Sequence, residues 1–126
     1  MKILFGAAWR QAGVTAAAGL IALEEGPRRL HEDHANARRL AEGVAEILPQ
    51  AIEPAQVETN MVFVDVEAAG LDLLDVVERL RAEGVLVTMV AGKARMLTHV
   101  DVGRDDVGQA IAAWRRVVSA LGAGGR

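Results

Sequence analysis

The spacing of apolar residues changes after Pro49, and this change limits the folds that the chain can adopt. Up to Leu48, apolar side chains recur at the intervals of an amphipathic helix. Over residues 60–66 they form a nearly continuous β-rich run, typical of a strand covered on at least one face. A chain with both patterns is expected to pack helices against a sheet.

The first part of the chain predicts two helices. The first covers residues 9–25, is rich in small residues on nearly all sides, and is expected to stop at Gly26 and Pro27. Such a helix should be buried against something larger. The second covers residues 28–48, with one apolar stripe and one charged side, and Pro49 ends it.

The second part predicts a strand, a helix, two strands and a helix. Asp72 is a candidate N-cap for a helix that Gly84 closes. Strands over residues 85–90 and 94–100 flank a short turn, which favours a hairpin. A last helix is predicted over residues 105–121, with Gly122 stopping it.

The expected fold class is therefore α+β: a three-stranded, mostly antiparallel sheet with helices on one face, preceded by an interdomain helix. The chain is divided accordingly into residues 1–26 as an interdomain segment and linking helix, residues 27–122 as a small α+β domain, and residues 123–126 as a disordered tail.

Composition excludes several functions. Aromatic residues are only 3% of the 126 residues, so the core must be built from Ala, Val, Leu and Ile. A net charge of −3 gives no electrostatic reason to expect nucleic acid as a partner. The absence of cysteine excludes disulfides, thiolate catalysis and cysteine-ligated zinc. The apolar stretch over residues 12–23 is shorter than a membrane span, so a soluble, cytoplasmic protein is expected.

Arg10 is the first candidate for a binding role. Small residues lead from Gly6 into a predicted helix whose first turn carries this guanidinium. Backbone N–H groups, the helix dipole and a bidentate arginine can together hold an anion. A surface arginine at a helix start is the commoner case, and the pattern alone leaves both open.

Arg95 is the second candidate. By strand alternation Arg95, Leu97 and His99 share one face, whereas Met96 and Thr98 share the other. Burying an arginine among apolar residues is costly unless it meets an anion, and a substrate carboxylate fits. The alternative is an edge-strand arginine with its stem packed and its head in water. Spacing does not distinguish the two.

The remaining polar residues favour structural roles. Lys93 lies in a predicted turn, where a lysine is usually solvated, and the other lysine is Lys2. His31 and His34 lack a third metal ligand at suitable spacing, so a solvated helix face is favoured. His99 is interpreted as a hydrogen-bonded structural histidine.

Five blocks carry a specific resemblance. They lie at residues 9–13 (WRQAG), 16–20 (AAAGL), 33–37 (DHANA), 59–65 (TNMVFVD) and 95–102 (RMLTHVDV). In this order they closely resemble the C-terminal part of low-specificity L-threonine aldolases, over essentially the whole chain. Each block is weak alone, and five in sequence are specific.

The resemblance implies the small C-terminal domain of a fold-type-I pyridoxal-phosphate enzyme, usually a tetramer. Such enzymes cleave L-threonine or L-allo-threonine to glycine and acetaldehyde. The resemblance further implies that Arg10 contacts the cofactor phosphate, from a neighbouring subunit, and that Arg95 binds the α-carboxylate of the substrate.

The resemblance assigns the cofactor-binding lysine to a large N-terminal domain upstream of this chain. We therefore expect the chain to be a truncated piece that is inactive alone. The alternative is a non-catalytic α+β module for assembly or amino-acid binding.

Overall fold

The computed structural model describes residues 12–124, which form three α-helices and a three-stranded sheet. In chain order the elements are α1 (Ala12–Ile47), β1 (Met61–Val64), α2 (Leu73–Ala82), β2 (Thr88–Val90), β3 (Lys93–Leu97) and α3 (Arg104–Gly124). Short 3-10 turns at Pro54–Gln56 and Glu67–Ala69 precede and follow β1. The chain divides into two units between His31 and Glu32.

The predicted helix break at Gly26 and Pro27 is wrong. α1 runs as one helix from Ala12 to Ile47 with Pro27 inside it. Proline lacks the N–H that would bond the carbonyl of Leu23, and its ring crowds that carbonyl. The loss concerns one hydrogen bond, and the alanine-rich sequence before it favours the helix strongly enough to continue. The domain boundary between residues 26 and 27 stays a prediction.

The first unit exposes the apolar side chains of α1. Val14, Leu20, Ile21 and Leu23 are between 57% and 77% exposed. Exposed apolar surface of this kind is typical of a region that another surface covers. The expectation that a larger partner buries this part of the helix therefore stays a prediction.

In the second unit the sheet has the order β1-β3-β2, and both strand pairs are antiparallel. Val62, Val64, Ala94 and Met96 are buried on one face, while the alternate residues of β1 and β3 lie on the opposite face. The helices pack on the buried face, where Trp114 of α3 contacts Met96. The predicted α+β arrangement is confirmed.

The core is built almost entirely from aliphatic residues, as the composition predicts. Its fully buried side chains include Val44, Val62, Val76, Leu80 and Trp114. Helices α1 and α3 approach closely at Gly43. A Cβ at that position would lie 2.7 Å from Cγ1 of Ile111, so only glycine fits without displacement of this side chain.

β2 is shorter than predicted because the end of α2 uses the preceding residues. The N–H of Val85 donates to the carbonyl of Leu80, and that of Gly84 donates to the carbonyl of Arg81. With a φ of 84° at Gly84, these bonds form a Schellman cap. The N–H of Val85 is therefore not available to a strand, and β2 begins only at Thr88.

α3 differs from its prediction at the C-terminal end. It continues to Gly124, so the predicted stop at Gly122 is wrong by two residues. A single glycine costs an exposed helix only about 1 kcal/mol, which does not force it to end. Residues 123 and 124 of the predicted tail are thus helical, and residues 125–126 lie outside the described part. Between residues 12 and 124, no helix has the length and apolar character needed to cross a membrane.

The β2–β3 hairpin carries local strain that a substitution can relieve. Its two turn residues, Ala91 and Gly92, have φ values of 50° and 75°. Positive φ at both positions is the type I′ geometry, which favours Asn-Gly and disfavours alanine. We expect Ala91→Asn to raise the free energy of unfolding by about 0.5–1 kcal/mol. Urea unfolding measures this. Ala120→Asn, on the exposed side of α3, should instead lower it slightly, and a loss with Ala91→Asn would contradict the prediction.

Candidate functional site

The outward side of the sheet is the candidate site. We call it the outer face. Its residues are Met61, Phe63, Thr88, Val90, Lys93, Arg95 and Leu97. Strand alternation places the side chains of β1 and β3 opposite the core residues of those two strands. The register places Thr88 and Val90 of β2 beside Arg95 and Lys93 on the same side. The face is open and mostly apolar, with Met61, Phe63 and Leu97 each about 40% exposed. Arg95 lies at its centre because β3 is the middle strand.

Arg95 is held between two neighbouring strands. Phe63 of β1 and Thr88 of β2 are its register partners on either side. The side chain is partly buried, and its Nε donates a hydrogen bond of 3.1 Å to Oγ1 of Thr88. β3 has neighbours on both sides, so Arg95 does not lie on an edge strand. The carboxylate-binding role and the alternative of a packed stem with its head in water both stay predictions.

The guanidinium of Arg95 has no acidic partner among residues 12–124. The ion pairs that arginine and lysine form there join Arg79 to Asp75, Lys93 to Asp65, Arg115 to Glu46 and Arg116 to Glu83. A guanidinium can donate five hydrogen bonds, and only the Nε–H is used within this region. The two terminal nitrogens are thus available to a carboxylate ligand, which accepts two parallel hydrogen bonds.

Lys93 has a structural role on the same face. It is the first residue of β3 rather than part of the turn, and its Nζ lies 3.8 Å from Oδ2 of Asp65. Both side chains are well exposed, at 47% and 38%, so this pair contributes at most about 1 kcal/mol. Nothing in this arrangement gives the amine a reactive environment.

His99 lies beyond the end of β3, so it does not share the strand face of Arg95 as predicted. Its Nδ1 accepts a 3.2 Å hydrogen bond from the N–H of Asp101, which fits the structural interpretation. His31 and His34 are exposed, and residues 12–124 contain no group of three or more potential metal ligands. Arg10 lies outside the described residues.

A comparison with known protein families shows to which family the chain belongs. The family model described as beta-eliminating lyase matches residues 2–69, more than half of the sequence. The chain belongs to the beta-eliminating lyase family.

Curated relatives match nearly all of the chain. The chain is 36% identical over 110 residues to the low specificity L-threonine aldolases of Escherichia coli K12 and O157:H7, covering 87% of the chain and 31% of each relative. It is 31% identical over 115 residues to low-specificity L-threonine aldolase 1 of Arabidopsis thaliana, covering 90% of the chain and 32% of the relative. The chain therefore spans about a third of the length of these relatives.

Three of the five resemblance blocks meet in the fold through hydrogen bonds. Asn36 donates to the carbonyl of Val102 at 3.1 Å, and Asn60 donates to the carbonyl of Thr98 at 2.8 Å. The hydroxyl of Thr98 donates to the carbonyl of Asp33 at 2.7 Å. These residues attach α1 to the ends of the strands, so their role is to build the frame around the outer face.

The Thr98 hydroxyl should contribute measurably to stability. Thr98 is 1% exposed, and valine matches its shape without the donor. Thr98→Val removes this bond, while the Asp33 carbonyl keeps its partner within α1, so the expected loss is about 0.5–1.5 kcal/mol. The urea midpoint measures the loss. Thr15→Val, on an exposed part of α1, should change the midpoint little. Equal midpoints for the two variants would show that the hydrogen bond contributes nothing.

Sequence reasoning missed Thr88, the residue that holds Arg95. The pairing depends on the length of the turn: a two-residue turn at Ala91 and Gly92 makes Val90 the partner of Lys93. Counting outward by two residues on each strand then makes Thr88 the partner of Arg95. The predicted turn was one residue longer, which obscured this pairing.

Proposed function

We propose that this chain is the C-terminal part of a pyridoxal-phosphate-dependent threonine aldolase, in which Arg95 binds the α-carboxylate of the substrate. The observation that carries the proposal is the free guanidinium edge of Arg95 at the centre of an open sheet face. The names of the relatives supply the activity of an L-threonine aldolase. The reaction that the family resemblance implies, and that we propose here, is cleavage of L-threonine or L-allo-threonine to glycine and acetaldehyde.

The described residues fit the substrate rather than the cofactor. Pyridoxal phosphate needs an amine for its covalent attachment, and Lys93, the only lysine among residues 12–124, pairs with Asp65. From the family resemblance, the attaching lysine is proposed to belong to a large domain upstream of this segment. When bound, the cofactor draws electrons from the substrate as the Cα–Cβ bond breaks.

In this reaction, Arg95 positions the substrate. Two parallel hydrogen bonds to the carboxylate fix both the location and the rotation of the amino acid. Fixing the rotation selects which bond at Cα is aligned for cleavage, which is an orientation effect. Thr88 leaves the two terminal nitrogens of the guanidinium free for this contact.

Arg10 is proposed to contact the cofactor phosphate from a neighbouring subunit, which requires a homo-oligomer, a tetramer by analogy with the family. A guanidinium suits a phosphate because it forms bidentate, charge-assisted hydrogen bonds. A cytoplasmic location is part of the same proposal. One observation favours the alternative of a non-catalytic amino-acid-binding module: the Arg95 edge is free, and the one lysine amine among residues 12–124, that of Lys93, lies beside Asp65.

A segment replacement tests the proposal. In an aldolase chimera, this chain replaces the segment that it matches in the Escherichia coli enzyme. We expect the chimera to form glycine and acetaldehyde from L-threonine with pyridoxal phosphate present, and the chain alone to form neither. A chimera that binds cofactor and threonine without cleaving it would favour the non-catalytic module. Activity of the chain alone would contradict the proposed absence of the attaching lysine.

Arg10→Ala in the same chimera should weaken cofactor binding, with turnover falling as a consequence. Losing a hydrogen bond to a charged group costs about 1.5–3 kcal/mol, and a pyridoxal phosphate titration measures it. Arg115→Ala is the matched control because Arg115 is 63% exposed on α3 and pairs with Glu46. If Arg10→Ala and Arg115→Ala bind the cofactor equally, the assignment of Arg10 to the phosphate is wrong.

A further inference from the structure

We propose that Thr88 is a positioning residue for Arg95, holding its guanidinium so that only the edge with the two terminal nitrogens faces a carboxylate. The inference rests on the proposed role of Arg95 in carboxylate binding. It assigns to Thr88 a function that acts through Arg95 and not through contact with the substrate.

The hairpin places the two residues opposite each other. Their Cα atoms are register partners, two residue pairs away from the turn at Ala91 and Gly92. Because a two-residue turn fixes the register, the side chains of Thr88 and Arg95 are neighbours on the outer face. A slip of one residue would move Thr88 to the core face of the sheet.

The hydrogen bonds define the direction of the guanidinium. Nε of Arg95 donates to Oγ1 of Thr88 at 3.1 Å, and Oγ1 lies 3.4 Å from the carbonyl oxygen of Arg95. The hydroxyl thus accepts from the side chain and directs its own hydrogen to the backbone of the same residue. An arginine offers a carboxylate either the edge with Nε or the edge with both terminal nitrogens. Here the first edge is occupied.

The hydrogen bond between Thr88 and Arg95 should also lower the entropic cost of binding threonine. A free arginine side chain loses rotamer freedom when a ligand fixes it. If Thr88 has already restricted that freedom, the loss on binding is smaller and the affinity is higher. The expected consequence is tighter threonine binding without a change in the chemical step.

The first test uses the chain itself and does not depend on the reaction. Relaxation of the arginine Nε–H groups by nuclear magnetic resonance reports how rigidly each guanidinium is held. We expect the Nε–H of Arg95 to be more ordered than that of Arg81, which is exposed at the end of α2. Thr88→Val should remove this order, and Thr88→Ser should keep it. Equal order in the parent and in Thr88→Val would overturn the proposal.

The second test uses the aldolase chimera. We expect Thr88→Val to raise the KM for threonine roughly three- to tenfold, with kcat and cofactor affinity unchanged. Thr88→Ser should restore the parental KM because it keeps the hydroxyl. Thr59→Val is the matched control: Thr59 is exposed, and its hydroxyl accepts only from the N–H of Met61.

Failure of the positioning role of Thr88 and failure of the proposed function give different results. If Arg95→Lys weakens threonine binding and Thr88→Val does not, the positioning role is wrong while the proposed function stands. If Arg95→Lys itself leaves threonine binding unchanged, the proposed function is wrong. A Thr88→Ser variant as impaired as Thr88→Val would also overturn the positioning role, since the hydroxyl would then not be the cause.

Discussion

Replacing Arg95 by lysine in the aldolase chimera is expected to weaken threonine binding by about 2–5 kcal/mol, by analogy with truncated charge pairs at interfaces. That range corresponds to roughly thirty-fold to several thousand-fold in affinity. Lysine keeps the positive charge but offers a point charge in place of a planar fork, so it cannot form two parallel hydrogen bonds. It also lacks the Nε–H that Arg95 donates to Thr88.

Two titrations of each variant check this result, one with threonine and one with pyridoxal phosphate. Cofactor binding should be unaffected in Arg95→Lys, because the described contacts of Arg95 lie on the outer face and its proposed ligand is the substrate. Arg79→Lys is the matched control, since within residues 12–124 Arg79 pairs with Asp75 one turn away on α2. Normal threonine binding by Arg95→Lys would mean that the arginine is structural.

The placement of Arg95 could be predicted because strand alternation is strict. Burial of Met96 and Thr98 on one side left Arg95 and Leu97 on the other, as the alternation requires. The environment of Arg95 could not be predicted in the same way. It depends on which strand is central, and that is a property of long-range pairing rather than of any local pattern.

The register of the β2–β3 hairpin could also not be predicted from the sequence. Alanine is rare at positive φ, so Ala91 gave no local sign of a type I′ turn. Without that turn length, the pairing of Thr88 with Arg95 could not be assigned.

The error at Pro27 has the opposite origin: a strong local helix-breaking signal was outweighed by the remaining hydrogen bonds of α1. The role of Arg10 stays a prediction.

Trp114→Ala is expected to lower the free energy of unfolding by about 3–5 kcal/mol, the usual range for a buried large aromatic side chain. Trp114 is 0% exposed, and its indole N–H donates to the sulfur of Met96 at 3.2 Å. The other buried residues between 12 and 124 are aliphatic apart from Met96 and Thr98, so no aromatic ring of this core can fill the cavity. A loss of this size is a large part of the 5–15 kcal/mol that typically stabilises a domain.

Urea unfolding of two further variants separates the causes of this loss. Trp114→Phe keeps most of the apolar volume and removes the N–H donor, so it should lose clearly less than Trp114→Ala. Phe63→Ala removes an aromatic ring that is 40% exposed on the outer face, and it should cost less than Trp114→Ala as well. If Trp114→Ala and Phe63→Ala unfold at the same urea concentration, Trp114 does not anchor α3 to the sheet. The frame that holds Arg95 would then depend on the aliphatic core alone.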